Sequence, residues 1–321
     1  MKAIVTTAYG SPDVLQLQEV PAPTPGDKEV RVKIHAATVT SGDARIRRAD
    51  PFLIRLIYGW KRPKTPILGN EFSGVIESVG DSVTQFKKGD RVFGATGFKL
   101  GANAEYVVLP ESGMVALKPE NLTYEEAAAI PFGATAALFF LREKGRIRPG
   151  QKVLVIGASG SLGTAAVQLA RYFGAEVTGV TSAGNADLVK SLGADKVIDY
   201  TREDYTRNGE RYDLIFDTVG KASFSASKRI LQPKGLFLAA AAGFSALFQA
   251  LLSALTGGPK LVMGVVEERR EDLDFLKGLL ESGHLKPVID RHYTFEQTAE
   301  AHRYVDTGRK KGNVVITLAG E

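Results

Sequence analysis

Residues 152–174, KVLVIGASGSLGTAAVQLARYFG, constrain this chain more than any other stretch. KVLVIG is a short apolar run suited to a central parallel strand. A glycine-rich turn follows, then an amphipathic run that ends at Gly174 and reads as a helix. The alternation continues with AEVTGV as a strand, ADLVKSLG as a helix and DKVIDY as a strand, and YDLIFDTVG and GLFLAAA add two more strands. Repeated strand–helix units of this kind predict an α/β fold with a doubly wound parallel sheet.

The turn ASGSLG supplies the candidate chemistry. Gly160 lets the backbone approach a pyrophosphate, and Gly163 allows close packing of helix on strand. The N–H groups and dipole at the helix start favour an anion. Ala158 takes the first glycine position of G-x-G-x-x-G, and Ser159, Ser161 and Leu162 complete the turn. A tight turn without a ligand is the plainer alternative. At the end of the second strand, NAD-binding chains usually carry an acid that holds the ribose hydroxyls. Here stand Thr181 and Ser182, with Asn185 just beyond, where a cation would help. Hydroxyls can donate to a 2′-phosphate that a carboxylate would repel, so NADP(H) is the expected cofactor.

The first third is strand-rich. EVRVKIHAATV (29–39) alternates, with Val30, Val32, Ile34 and Ala36 on one face and Arg31, Lys33 and His35 on the other. Thr123 and Glu126 have capping-box spacing, so a helix is expected to start there. Helices over EDLDFLKGLLESG and TFEQTAEAHRYVDTG and a final strand GNVVITL close the chain. Lys234 to Lys260 is free of charge, but Gly243, Ser245, Gln249, Ser253 and Gly257 interrupt it. It reads as a buried strand followed by a helix carrying Phe244, Leu247, Phe248, Leu251, Leu252 and Leu255, not as a membrane span. Net charge is +5, yet most cations are dispersed and no nucleic-acid motif is present. The chain has no cysteine, which removes disulfides, thiolate nucleophiles and cysteine-based metal sites. A reducing, cytoplasmic setting is the expectation.

An ordered set of segments carries a family likeness: GNEFSGVIESVG, FKKGDRVFG, AAAIPFGATAAL, GQKVLVIGASGSLGTAAVQLA, LGADKVIDY, FDTVG and EAHRYVDTGRKKGNVVI. The chain resembles the medium-chain dehydrogenase/reductase superfamily, in its zinc-free quinone oxidoreductase-like branch. The resemblance implies a GroES-like β-rich catalytic domain (1–124 and 267–321) and a Rossmann NADP(H)-binding domain (125–266). It places Tyr200 against the adenosine 2′-phosphate and Thr135 near the nicotinamide, and Val219, Ala241 and Asn313 complete the cofactor set. Thr40 falls where relatives often have asparagine beside the nicotinamide. Asn70 stands where the zinc enzymes have a histidine ligand, and Ser41 or a neighbour where they have cysteine, so no metal is expected. His35, His284, His292 and His302 lie on different predicted elements without ligand spacing. A homodimer is expected from the likeness and from the apolar region 244–266, whose helix has an uncharged back face of Ser245, Ala246, Gln249, Ala250, Ser253 and Ala254.

Without a Lewis acid, acceptors whose reduced anion is delocalised remain accessible, namely quinones and α,β-unsaturated carbonyls. Thr40 and Asn70 are the candidate donors, and Asn70 has a turn-stabilising alternative. Segment 49–66 brings Phe52, Ile54, Leu56, Ile57, Tyr58 and Trp60 to the expected cleft, with Tyr58 added to the catalytic candidates. Around it lie Arg45, Arg47, Arg48, Arg55, Lys61, Arg62 and Lys64 against Asp50 alone. That combination also suits an enoyl thioester with a phosphorylated tail, so an enoyl-thioester reductase is the alternative enzyme. An NADP(H)-binding sensor without turnover is the alternative of another class. The expected partners are a small molecule and a second copy, with neither nucleic acid nor membrane.

Overall fold

The computed structural model describes residues 1–241, 244–255, 257–267 and 269–318. The side chains of Phe244 and Ser245, and Gly243, lie outside that description. Two compact units are formed, Met1–Phe132 with Glu268–Glu321, and Gly133–Glu267.

The first unit begins with β1 (Lys2–Thr6) and β2 (Leu15–Glu19), an antiparallel pair. β3 (Glu29–Thr38) follows with its predicted alternation, Val30, Val32, Ile34 and Ala36 being buried. Two short helices come next, α1 (Ser41–Arg48) and α2 (Ile54–Tyr58). Then come β4 (Glu71–Val79), β5 (Arg91–Ala95), β6 (Tyr106–Pro110), β7 (Val115–Leu117) and α3 (Tyr124–Ala128). Thr123 and Glu126 cap α3 reciprocally, as their spacing predicts. Because α3 packs on β3 and β4, the compact unit runs on to Phe132, past the sequence boundary at 124.

α4 (Pro131–Leu138) leads into the second unit: β8 (Lys152–Ile156), α5 (Ser161–Tyr172), β9 (Glu176–Thr181), α6 (Ala186–Ser191), β10 (Lys196–Asp199), β11 (Tyr212–Asp217), α7 (Phe224–Ser227) and β12 (Leu231–Ala239). It ends with α8 (Phe244–Leu255) and β13 (Lys260–Met263), a strand the sequence reading missed. All six strands are parallel in the order β10-β9-β8-β11-β12-β13. Counted from β8, this is the 3-2-1-4-5-6 order of dinucleotide-binding sheets, whose ligands bind outside the strands' carboxyl ends where the order reverses.

α8 has the opposite orientation to its sequence reading. Ala246 and Ala250 pack on the unit's core and Ser253 is buried, its Oγ accepting the Leu261 N–H at 3.0 Å. Leu247, Phe248, Leu251, Leu252 and Leu255 are exposed. Small residues let the helix lie close to β13, so the leucines are the side turned away. The chain then returns to the first unit through α9 (Arg270–Glu281), β14 (Ile289–Thr294), α10 (Thr298–Asp306) and β15 (Asn313–Thr317), extending that unit's sheet as β14-β15-β3-β4-β5-β7. No helix among the described residues is long and apolar enough to cross a membrane.

Candidate functional site

The glycine turn divides its labour between packing and openness. Gly157, at φ +78°, starts the turn, and a Cβ there would lie 2.6 Å from Val219 Cγ1. A Cβ on Gly163 would meet the Gly157 carbonyl oxygen at 2.1 Å, so this glycine is needed for helix–strand contact. On Gly160 the nearest atom would be 3.6 Å away. Gly160 is the N-cap of α5 and offers no side-chain cap. Leu162 and Gly163 therefore stand in a first turn whose N–H groups lack intrahelical acceptors. Ala158 is buried and its N–H donates to Val180 O at 3.0 Å. It shapes the turn from within and keeps no donor for a phosphate.

Ser159, Thr181, Ser182 and Asn185 come together at the end of β9. The Thr181 hydroxyl donates to Ser159 Oγ at 2.9 Å, and the Asn185 amide donates to the same oxygen at 3.1 Å and to Ser182 Oγ at 3.4 Å. Thr181 is buried and donates to Ser159, and the Asn185 amide braces the loop. Ser159 accepts twice, which leaves its own proton for a third group. Tyr200 is exposed beside this cluster, its N–H on Thr181 O at 3.2 Å. Arg202, a cation the sequence reading passed over, stands close by, 3.6 Å from Asp199. On the far side of the turn the buried Asp217 carboxylate accepts the N–H groups of Val219, Gly220 and Ala222 at 2.9–3.0 Å, which fixes Val219 over Gly157. Ala241 O lies 2.4 Å from where a Gly220 Cβ would be. Thr135 is buried in α4.

In the first unit, Thr40 is joined through Asp43 to Gly69, the residue before Asn70; the sequence reading did not single Asp43 out. Thr40 is the N-cap of α1: its hydroxyl donates to Asp43 Oδ2 at 2.6 Å and accepts from the Asp43 N–H at 3.1 Å. Asp43 Oδ1 takes the Gly69 N–H at 3.1 Å, and burial raises the carboxyl's pKa. Asn70 Oδ1 accepts from the Gly97 N–H at 2.8 Å. The amide orientation is thereby fixed, with Nδ2 turned the other way. Tyr58 is half-buried, and burial, then the Asp43 charge, raises its phenol's pKa. Asn313 is buried with its amide on Val288 O at 3.2 Å.

Glu71 is another residue the sequence reading missed. It is buried, with Oε2 accepting the Thr38 hydroxyl and Oε1 the Phe132 N–H at 2.7 Å. Burial pushes its carboxyl up to about 7, against those hydrogen bonds; Asp43 adds to the rise and Lys310 opposes it. Burial pushes Lys310 down to about 8, opposed by Glu71 and Asp290. Near neutral pH the buried Glu71 carboxyl and the half-buried Lys310 ammonium, which donates to Gly312 O at 2.7 Å, are both close to titration.

The donors do not fit zinc. Asn70 is engaged with Gly97 through its oxygen and Thr40 with Asp43. His35 is half-buried and stacked on Tyr124 with ring centroids 4.4 Å apart. His302 is buried with Nδ1 on Arg47, and His284 bonds Ser282. Among the described residues no three His, Cys, Asp or Glu side chains converge to hold a metal.

Residues 26–120 match the alcohol dehydrogenase GroES-like domain family, and residues 192–316 the zinc-binding dehydrogenase family. The chain is 35% identical to 2-methylene-furan-3-one reductase of Solanum lycopersicum, over 98% of this chain and 79% of that one. It is 30% identical to the NADPH-dependent alkenal/one oxidoreductase of Arabidopsis thaliana chloroplasts, with the same coverage. The quinone oxidoreductase from Coxiella burnetii has the same fold, with a TM-score of 0.91, 27% identity and 99% of both chains covered. A nicotinamide-binding sheet in one unit and a GroES-like unit around Asn70 account for these likenesses together: the chain belongs to the medium-chain dehydrogenase/reductase superfamily, in its quinone oxidoreductase-like branch, and is an oxidoreductase that uses a nicotinamide cofactor.

Proposed function

We propose that this enzyme transfers hydride from NADPH to quinones or to the β-carbon of α,β-unsaturated carbonyls without a metal. The second unit binds the cofactor and the first works on the acceptor. The observation that carries the reading is the Gly160 turn, open above and tightly packed beneath. A bound nicotinamide supplies the hydride. The acceptor then carries a negative charge spread by resonance, which a neutral donor can stabilise. Asn70 Nδ2 is that donor, its direction set by the Gly97 bond, and solvent returns the proton. Tyr58 walls the acceptor, its raised pKa keeping the phenol protonated. Thr40 positions the loop through Asp43. Steady NADPH consumption across a panel of quinones, enones, enoyl thioesters and simple alcohols tests the reading. Turnover confined to enoyl thioesters would favour the neighbouring reductase class, and no turnover with any acceptor would leave a binding protein.

NADPH is preferred over NADH in this reading. Ser159 and Ser182 supply hydroxyls, Tyr200 a ring face, and Arg202 a cation where the adenosine phosphate would lie. Thr135, Val219, Ala241 and Asn313 line the remainder of the cofactor. Ser182→Asp is expected to weaken NADPH binding about tenfold or more and to reverse the preference, because the new carboxylate repels the phosphate. Fluorescence titration with both cofactors measures it, and an unchanged ratio would remove Ser182 from the phosphate site.

The protein is further proposed to work in the cytoplasm as a homodimer. The exposed leucine face of α8 supports the second copy, since an apolar patch of that extent marks an interaction surface. Light scattering at micromolar concentration is expected to give twice the 34.5 kDa chain mass, and Leu251→Glu with Leu255→Glu is expected to return the monomer. A monomer in the unaltered protein would refute the pairing.

A further inference from the structure

In the first unit, the segment around α2 presents large apolar side chains to solvent. Phe52, Leu53, Leu56, Ile57 and Trp60 are 56, 40, 65, 68 and 58% exposed. They are held from beneath. Arg55 lies 4.8 Å from the Tyr9 ring centroid and 5.2 Å from that of Phe52, and its Nη1 donates to Trp60 O at 3.2 Å. Phe52 meets Trp60 edge-on, with centroids 5.3 Å apart. The Tyr9 hydroxyl donates to Gly59 O at 2.7 Å. Exposure here is therefore a braced arrangement of the segment.

The charge along this segment is predominantly positive. Arg47 is buried and Arg48 pairs with Asp306. Arg45, Lys61, Arg62 and Lys64 remain exposed, and from 45 to 64 Asp50 is the one acid. Exposed aliphatic side chains and a tryptophan, flanked along the chain by exposed cations, suit an anionic lipid interface, with apolar groups below the headgroups and cations among them. We propose that this segment docks the protein on the surface of an anionic bilayer. A second copy is disfavoured, because a two-fold pairing of this patch would set its cations against their own images. Nucleic acid is disfavoured as well, since Leu53, Leu56 and Ile57 make most of the patch aliphatic and its two rings, Phe52 and Trp60, pack edge-on against each other. The lack of a spanning helix bears on crossing the bilayer and leaves surface attachment open. Docking would bring the first unit to the phase in which long-chain apolar acceptors dissolve.

Trp60 is the chain's single tryptophan, so intrinsic fluorescence reads this patch directly. The full-length protein is mixed with vesicles of phosphatidylcholine alone or with one third phosphatidylglycerol, and binding is followed by co-sedimentation and by the emission maximum. A blue shift and sedimentation with the anionic vesicles are expected, with at least tenfold weaker binding to the neutral ones and in 0.5 M salt. Leu56→Asp with Ile57→Asp is expected to abolish binding, and Lys61→Glu with Arg62→Glu to weaken it at least tenfold. NADPH titration of each variant confirms that it is folded. No sedimentation, or equal binding to both vesicle types, would overturn the proposal. So would a blue shift produced by protein concentration alone, which would mark a second copy, or by a monomeric acyl phosphate, which would mark a small-molecule site. Vesicle binding is read without acceptor, so it stands or falls apart from the acceptor class.

Discussion

Gly160→Ala is expected to lose NADPH binding and keep its stability, whereas Gly163→Ala is expected to lose stability first. At position 160 the backbone has an ordinary φ of −80° and the added methyl would stand 3.6 Å from its nearest neighbour. The folded chain tolerates it, and a lower unfolded-state entropy can stabilise the variant by up to about 1 kcal/mol. The methyl, however, fills the space over the α5 N-terminus where a pyrophosphate must approach, so affinity should fall by about a hundredfold. At position 163 the methyl would lie 2.1 Å from Gly157 O and 2.9 Å from the Ala158 carbonyl carbon. Both are backbone atoms, so the strand and helix must part. Overpacking of this kind costs about 3 kcal/mol, a fall in Tm of roughly 6–12 °C for a domain of this size. Calorimetry with and without NADPH separates the two failures. Unaltered NADPH affinity in Gly160→Ala would mean that the turn does not face the cofactor.

Glu71→Gln is expected to change how stability depends on pH. The folded carboxyl titrates at about 7 in place of the ordinary 4.5. Between those values the folded chain keeps a proton that the unfolded chain has released, so stability falls as pH rises from about 4.5 to 7. Lys310 has the opposite sign: its pKa of about 8, down from 10.5, makes stability rise again from about 8 towards 10.5. The pair therefore predicts a trough between pH 7 and 8. Glutamine keeps both contacts, its oxygen accepting from the Phe132 N–H and its amide donating to the Thr38 hydroxyl, and removes the first limb. The variant should be more stable than the native chain at pH 7.5 by roughly 1–2 kcal/mol, less than the whole carboxyl shift because Lys310 loses its counter-charge. Glu71→Ala should instead destabilise by about 1–3 kcal/mol, as it removes the carboxylate that accepts from the Thr38 hydroxyl and the Phe132 N–H. Urea melts from pH 5 to 9 decide the matter, and parallel profiles for native and glutamine proteins would refute it.

The second unit was legible in the sequence because its signals are local. A strand, glycine turn and helix lie within residues 152–174, and the division of labour between Gly160 and Gly163 follows from their spacing alone. β14 was not legible: IDRHYT is mostly polar and only half-buried, so no alternation announces it. α1 escaped because its short, Arg-rich SGDARIRR sequence holds only two apolar residues, Ala44 and Ile46, although Thr40 and Asp43 have the spacing recognised at Thr123 and Glu126. An aspartate in place of glutamate at the third position hid it, and with it the true engagement of the Thr40 hydroxyl. On α8 both faces lack charge, so periodicity offered two stripes and no means of choosing the inner one. Glu71 and Lys310 are far apart in the chain, and their electrostatic coupling follows from β15 returning beside β3, a proximity that spacing does not encode.

The central claim is hydride delivery to a conjugated acceptor by a site that needs no metal. It is tested most directly by giving chelator-treated, zinc-free protein NADPH deuterated at C4 together with an α,β-unsaturated ketone and analysing the product by mass spectrometry and NMR. The account predicts one deuterium, at the β-carbon, with a proton from solvent at the α-carbon and a rate unchanged by added zinc. Deuterium at the carbonyl carbon, or transfer that appears only when zinc is restored, would contradict it.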